Sequence, residues 1–533
     1  MPAIVTDQFR ILNANNFVES VDNTSNSYYI FLGLPNPAGA PTLVGYGRTS
    51  DWDTSSKTPS PVDSFAYRSH AGDTMMFGKK VSSANIRRII RRVDWIQGNR
   101  YEIYRDDYSV ENQSPNTKAN RLYDANYYVL NSDFKVYVCI DNGSTGDNPL
   151  GNISQDEPTF TDLEPSKAGN SGDGFIWKYL FTVAPSDIVK FDSTEYITVP
   201  NDWFTTTDSQ IRAVRENGNS NINLNQIKHV YIEKGGSGYS NGLGQEVDIV
   251  GAGSGAKARV DVVNGTITDV TVSSGGKGYS YGVVDLGLLN SFVGAGNHAK
   301  LIPIIPPALG HGSDIYSELG TDKVIVYARF DDSTRDFPID TTFSQVGIVK
   351  NPTKVGTDIV YTDSTFSSLK AFKFDDGFNA TPQIGEEITQ ILSISSPNPG
   401  GIAKGYVASY DKETRVLKYF NDRSLSFNPT TNDQTDRAGI STLSRLYDFE
   451  SSITAANIVG KSSLFSAPIS INFSGITTNP TGTKLINLGV NFTSGLSDSE
   501  INKGSGEIIY LDNRPQIVRN SRQKEDIKII LEF

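Results

Sequence analysis

Three short segments of this chain carry residue types that could do chemistry. Gly251-Ala252-Gly253-Ser254-Gly255-Ala256-Lys257 offers backbone amides and a lysine of the kind that cradle a phosphate. The spacing is not that of a Walker loop, and a hairpin fits the flanking residues better. Gly310-His311-Gly312-Ser313-Asp314 sets an imidazole beside a hydroxyl, but it lacks the final glycine of a nucleophile elbow and follows Pro306-Pro307, so it reads as a loop. Acidic pairs stand at Asp106-Asp107, Asp331-Asp332 and Asp375-Asp376. Glycosidases need two carboxylates facing one bond, whereas adjacent acids in turns face water, and Asp375-Asp376-Gly377 is too short for a helix-loop-helix calcium site. The histidines, His70, His229, His298 and His311, are scattered, so neither a triad nor a histidine metal site has a visible partner set. Cys139, the single cysteine, cannot form an internal disulfide and reads as a small core residue between Val138 and Ile140. The expectation is a chain with no catalytic residue, no cofactor and no metal.

Arginine offers a different chemistry. Ile86, Ile89, Ile90 and Val93 fall at i, i+3, i+4 and i+7, with Arg87, Arg88, Arg91 and Arg92 between them and Ser82 or Ser83 ahead as a cap. The spacing predicts a short amphipathic helix with an arginine stripe. Burying such a stripe unpaired would cost several kcal/mol per charge, so it faces water, the carboxylates of a protein partner or, least of all, nucleic acid. These four arginines are therefore the candidate interface residues. The formal net charge of −12 is modest for 533 residues and argues against general nucleic-acid affinity.

The elements that must position these groups read as strands. Across residues 173–200, Phe175, Trp177, Tyr179, Phe181 and Val183 alternate with Ile176, Lys178, Leu180 and Thr182, the period of two that a pleated strand requires. One face is expected to be packed and the other mixed. Asp173-Gly174 precedes the strand as a tight turn, Pro185 bounds its end, and a second strand at 195–199 stops at Pro200. With 48 Gly, 24 Pro, 25 Tyr and 26 Phe, the composition suits an all-β protein with many turns. A length of 533 residues exceeds what one core fills, so two or more domains are expected. The first residues lack a basic region followed by an apolar run, and no stretch approaches a membrane span, so neither export nor membrane insertion is expected.

The order Asp173-Gly174-Phe175-Ile176-Trp177-Lys178-Tyr179-Leu180-Phe181, then Thr194-Glu195-Tyr196-Ile197 and Val199-Pro200, resembles the gene-product-eight family of baseplate wedge proteins in contractile-tailed phages related to the large coliphages. Ala3-Ile4-Val5-Thr6 with Phe9-Arg10, Gly47-Arg48 with Trp52, and Arg92, Asp94-Trp95, Arg100-Tyr101 and Tyr108 continue the similarity. So do Gln345, Ile348 and Asn351-Pro352, and, near the other end, Ser505-Gly506-Glu507, Ile509-Tyr510, Asn513-Arg514-Pro515 and residues 527–533. The resemblance implies a structural subunit of the virion tail baseplate, assembled in the host cytoplasm. It also implies a homodimer that joins other wedge proteins of the gene product six, seven and ten types.

Two stretches fall outside the resemblance. At 223–303, Gly235-Gly236-Ser237-Gly238-Tyr239-Ser240 returns 40 residues on as Gly275-Gly276-Lys277-Gly278-Tyr279-Ser280, and Asn264-Gly265 joins two alternating runs as a two-residue hairpin turn. At 353–485 several short strands follow at barrel-like spacing. The reading is a mainly β protein: a β-sandwich-like core with a few short helices, made of 1–222, 304–352 and 486–533, with two inserted small β domains at 223–303 and 353–485. Abundant Tyr, Asn and Gly keep a receptor-binding or carbohydrate-binding tail protein as the alternative, and a baseplate-borne glycosidase would need carboxylates converging in a cleft.

Overall fold

The computed structural model describes residues 5–33, 60, 61, 63, 65–219, 224–289, 297–331, 342–397, 399–421, 426–428, 433–435, 447–480, 482–519 and 523–533. Ala3-Ile4, Gly47-Arg48, Trp52 and Asp332 lie outside them. The chain is mainly β, built of antiparallel sheets with a few short helices. It divides into two compact units, one of Met1–Val18, Arg87–Ile325 and Ile530–Phe533, the other of Glu19–Ile86 and Val326–Ile529.

The first unit is organised by the aromatic strand Phe175–Thr182, which runs between Lys135–Asn142 and Ser166–Lys167, with Tyr128–Leu130 beyond. Tyr137 stands opposite Tyr179, and Cys139 opposite Trp177. Phe175 stacks on Trp177 at 5.3 Å between ring centroids, and Tyr101 meets Trp177 edge-on at 5.8 Å. The second face is packed too, because Leu180 and Lys178 are buried. The Lys178 ammonium donates to the Leu163 carbonyl, which also accepts from Asn217 Nδ2 at 2.9 Å. Burial pushes its pKa down to about 8. Pro185 opens a helix, Pro185–Phe191, at a position where its missing N–H costs nothing.

The arginine segment is not a helix. Ser83–Asn85 is one 3-10 turn, preceded by an extended Ser82 whose side chain caps nothing, and Ile86–Arg91 is a strand paired with Tyr196–Val199. Isoleucines every three or four residues fit a helix, but three β-branched side chains in five positions also suit a strand buried on both faces. That is the case here, for Ile86, Arg88, Ile89 and Ile90 are all buried. The pleat then sends Arg88 to one face and Arg87 and Arg91 to the other, so no arginine stripe exists.

Within the same unit, residues 227–301 enclose an apolar core of their own. Thr266–Lys277, Ser254–Val263, Gly242–Gly251 and Gly282–Val284 form one sheet in that order, and Val230–Lys234 pairs with Lys300–Pro303. Asn264 (φ 53°) and Gly265 (φ 78°) make the hairpin turn, in the left-handed conformations that a type I′ turn requires. The two glycine-tyrosine repeats complete each other. Ile267 N donates to Gly235 O and Ile227 N to Gly275 O, both at 3.0 Å. Tyr279 Oη accepts from Ala256 N at 3.1 Å, while Tyr239 Oη accepts from Ala299 N at 2.9 Å. A second sequence repeat explains the exchange: Gly251-Ala252-Gly253-Ser254-Gly255-Ala256-Lys257 is echoed by Gly294-Ala295-Gly296-Asn297-His298-Ala299-Lys300, and each tyrosine binds the copy belonging to the other repeat. Gly146 N donates to Ile232 O at 2.6 Å, and the Arg105 guanidinium lies 4.4 Å from the centre of the Tyr231 ring, tying this module to the aromatic core.

In the second unit, five strands lie in the order Thr365–Ser367, Met75–Val81, Tyr28–Gly33, Thr342–Lys350, Glu507–Val518. Three distant parts of the sequence thereby become neighbours, with Ile30 opposite Ile348 and Ile348 opposite Tyr510. Gly78 is required there, since a Cβ would sit 2.2 Å from the Phe366 ring. A separate seven-stranded sheet carries its own phenylalanine core, in which Phe374 stacks on Phe378 at 4.1 Å and meets Phe465 edge-on at 5.6 Å.

Candidate interaction site

The four candidate arginines are dispersed rather than gathered. Arg87 Nε donates to Asp187 Oδ2 at 2.8 Å. Arg88, 3% exposed, donates from Nε to Asn15 Oδ1 at 2.6 Å and from Nη1 to Asn201 Oδ1 at 3.2 Å, and lies over the Tyr316 ring at 4.2 Å. Arg92 is held by Asp94 at 2.9 Å and Asp192 at 3.3 Å. Arg91 differs. Its Nη2 donates to the carbonyls of Asp124 (3.1 Å) and Ala125 (2.9 Å), and its buried Nε has no hydrogen-bond partner among the described residues.

Arg91 and Arg92 share a cavity of about 410 Å³, within the first unit. Arg121, Tyr123, Tyr128 and Lys323 stand in the same wall. Arg121 pairs with Asp7 at 2.7 Å, and Lys323 with Asp322 at 2.9 Å and Glu532 at 3.3 Å. Tyr128 donates to the Arg91 carbonyl at 2.5 Å. Tyr123 donates to Ser317 O at 2.7 Å, and its ring lies where a Cβ on Gly320 (φ 68°) would come within 2.4 Å. Burial pushes the Tyr123 phenol up to about 12, so it stays a neutral donor. The walls are thus fixed before anything enters, which suits binding; nucleophile and base are not brought together. Arg121 and Tyr123 from one segment and Lys323 from another escaped the sequence reading because both segments are distant from residues 91–92 and share no spacing with them.

The segments considered for chemistry serve the fold. His311 Nδ1 is 2.7 Å from Glu318 Oε1, and Glu318 Oε2 accepts from Gly312 N at 2.7 Å, all of it buried. Asp314 caps the helix Ile315–Leu319, and the Ser313 carbonyl accepts the Trp203 indole N–H at 3.1 Å. The 251–257 segment turns between two strands, and Lys257 pairs with Glu246 at 2.7 Å; no helix follows to hold a phosphate. Asp107 grips Arg105 at 2.6 Å while Asp106 accepts from Ile305 N at 3.3 Å, and Asp376 pairs with Arg415 at 3.2 Å. Cys139 is buried, and burial drives its thiol pKa well up, so it packs rather than reacts. Among the described residues no cluster of three or more His, Cys, Asp or Glu could hold a metal, and no helix is long and apolar enough to cross a membrane.

No family model matches the chain. It is 25% identical over 220 residues to the baseplate wedge protein gp8 of Enterobacteria phage T4, an alignment covering 37% of this chain and 60% of that protein. The chain therefore spans less than two thirds of the relative's length, and what the similarity establishes is a distant resemblance to a phage baseplate wedge protein.

Proposed function

We propose that this protein is a structural subunit of a contractile-tail baseplate wedge, a rigid β scaffold that holds neighbouring proteins in register during assembly and contraction. The observation that carries the reading is the similarity to a baseplate wedge protein. The architecture supports it: in the second unit, strands from early, middle and late sequence lie side by side in one sheet, and packed sheets move as bodies rather than deform. On this reading the chain acts without catalysis, forms a homodimer, contacts wedge proteins of the gene product six, seven and ten types, assembles in the host cytoplasm and resides in the virion baseplate. A stable interface of that kind would bury on the order of 2,000 Å².

Density maps of the virion test the proposal by locating the chain; density in the baseplate is the expected result, and absence from the tail would overturn it. Sedimentation at micromolar concentration checks the dimer separately, a monomer alone counting against it.

A further inference from the structure

The buried lysine of the aromatic strand has a reactive neighbour besides its acceptor. Lys178 is 2% exposed, and the Leu163 carbonyl that takes its ammonium also takes Asn217 Nδ2 at 2.9 Å. Two hydrogen bonds to one oxygen keep the two nitrogens within about 6 Å of each other, a gap that side-chain rotation closes. The same Nδ2 donates to Glu164 Oε1 at 3.2 Å, and Glu164 Oε2 accepts from Lys228 Nζ at 2.7 Å. All four side chains line one small cleft. An amine, a carboxamide and a carboxylate therefore meet at one point.

Their charge states suit a reaction. Burial and Lys228 push Lys178 down to about 8, against the pull of Glu164 and Glu318, so about half of the amine is uncharged at pH 8; for an exposed lysine it would be under about one part in a hundred. Partial burial works against charge on Glu164, yet Lys228 and Asn217 hold it below its usual pKa, as a carboxylate able to take a proton. An uncharged amine is a nucleophile, and fixing it beside its target makes the attack intramolecular.

We propose that Lys178 and Asn217 join in an intramolecular amide bond, with Glu164 as the proton carrier. Lys178 Nζ attacks Asn217 Cγ, so that the Nζ–Cγ bond forms and the Cγ–Nδ2 bond breaks. One proton passes from Nζ through Glu164 to Nδ2, which leaves as ammonia. Nothing is oxidised or reduced, and the event happens once per chain, without turnover. The product ties the aromatic strand to the helix Ser209–Asn219 and closes a covalent loop across residues 178–217. Until it forms, Lys178 is a free amine and titrates as one.

The test is the intact mass of the full chain, purified fresh and then held for days at pH 8, followed by peptide mapping. The expected result is a fall by the mass of one ammonia and a branched peptide joining residues 178 and 217. Lys178→Met and Asn217→Ala should keep the full mass. Glu164→Gln, a change at a half-exposed side chain that retains an acceptor for Asn217, should slow the loss tenfold or more. An unchanged wild-type mass, or a loss of ammonia with no branched peptide, would overturn the inference. So would a loss that persists in Lys178→Met, which would assign it to succinimide formation at Asn217-Gly218 or another Asn-Gly pair. Reaction of Glu164→Gln at the wild-type rate would overturn the part given to Glu164.

Discussion

The aromatic sheet and the glycine-tyrosine module are both built on a period of two and achieve stability by different means. In the strand Phe175–Thr182 almost every side chain is buried and the contacts are ring on ring. In Gly242–Gly251 and Ser254–Val263 one face holds Val247, Ile249, Ala256, Ala258, Val260 and Val262, while the other carries Glu246, Asp248, Lys257 and Arg259 to solvent. Large rings bury ~150–250 Å² each; alanine and valine bury far less. The module must therefore draw more of its stability from backbone geometry and hydroxyl bonds. The difference teaches where each sheet is fragile: the first in its side chains, the second in its glycines and tyrosines.

The comparison breaks most sharply at Trp177. Replacing it with alanine opens a large cavity among Tyr101, Phe175 and Cys139, at an expected cost of about 3–5 kcal/mol, read as lost hydrogen-exchange protection in the Lys135–Asn142 strand. Protection within about 1 kcal/mol of wild type would mean that the rings are not what holds this sheet.

Smaller losses are expected in the module. A Cβ at Gly276 (φ 61°) would meet Ala256 N at 2.5 Å, and one at Gly236 (φ 68°) would meet Ala299 N at 2.6 Å. Gly276→Ala and Gly236→Ala should each cost about 1–3 kcal/mol of local protection, and by similar amounts if the exchange of repeats is what closes the module. Tyr279→Phe should cost about 1–2 kcal/mol, because both the Ala256 N–H and the Ile249 carbonyl (2.8 Å) lose a partner; Tyr239→Phe, which frees the Ala299 N–H, should cost less. Equal losses from the two tyrosines would show that the Ile249 bond contributes nothing.

The smallest effect separates two lysines. Lys178 is buried in the aromatic strand and its pKa lies near 8, below that of an unfolded lysine. Between about pH 8 and the ordinary lysine pKa the unfolded chain holds a proton that the folded chain has released, so stability contributed by this group rises with pH across that window. Lys178→Met should raise the denaturation midpoint at pH 7 and remove the rise between pH 8 and 10, since the Leu163 carbonyl keeps Asn217 as a donor. Lys257→Met, at an exposed site, should leave the midpoint unchanged at either pH. A rise that persists in Lys178→Met would assign it to another group.

How much was legible in the residues follows the same division. The Asn264-Gly265 turn and the aromatic strand were readable because turn chemistry and strict alternation are local signals. The segment 86–93 was misread because a strand buried on both faces has no alternation to display, leaving the isoleucine spacing to imitate a helix. Burial of Lys178 was hidden for a related reason: a lysine on a strand normally marks the wet face, and here the 163–164 segment supplies an acceptor from far away in sequence. Of the cavity's lining only Arg91 and Arg92 stood out in the sequence; the rest comes from the separated segments 121–128, 195–196 and 319–323 and from Glu532, which no local pattern links to them.

Reciprocal closure of the two glycine-tyrosine repeats constrains how the gene can change. Deleting either copy would strip the survivor of the amide that its tyrosine binds and of the segment its glycine turn docks against. Inheritance of this module is then all or none: its two repeats are gained or lost as a matched couple. A descendant carrying a single copy would have to borrow the missing half from a second polypeptide.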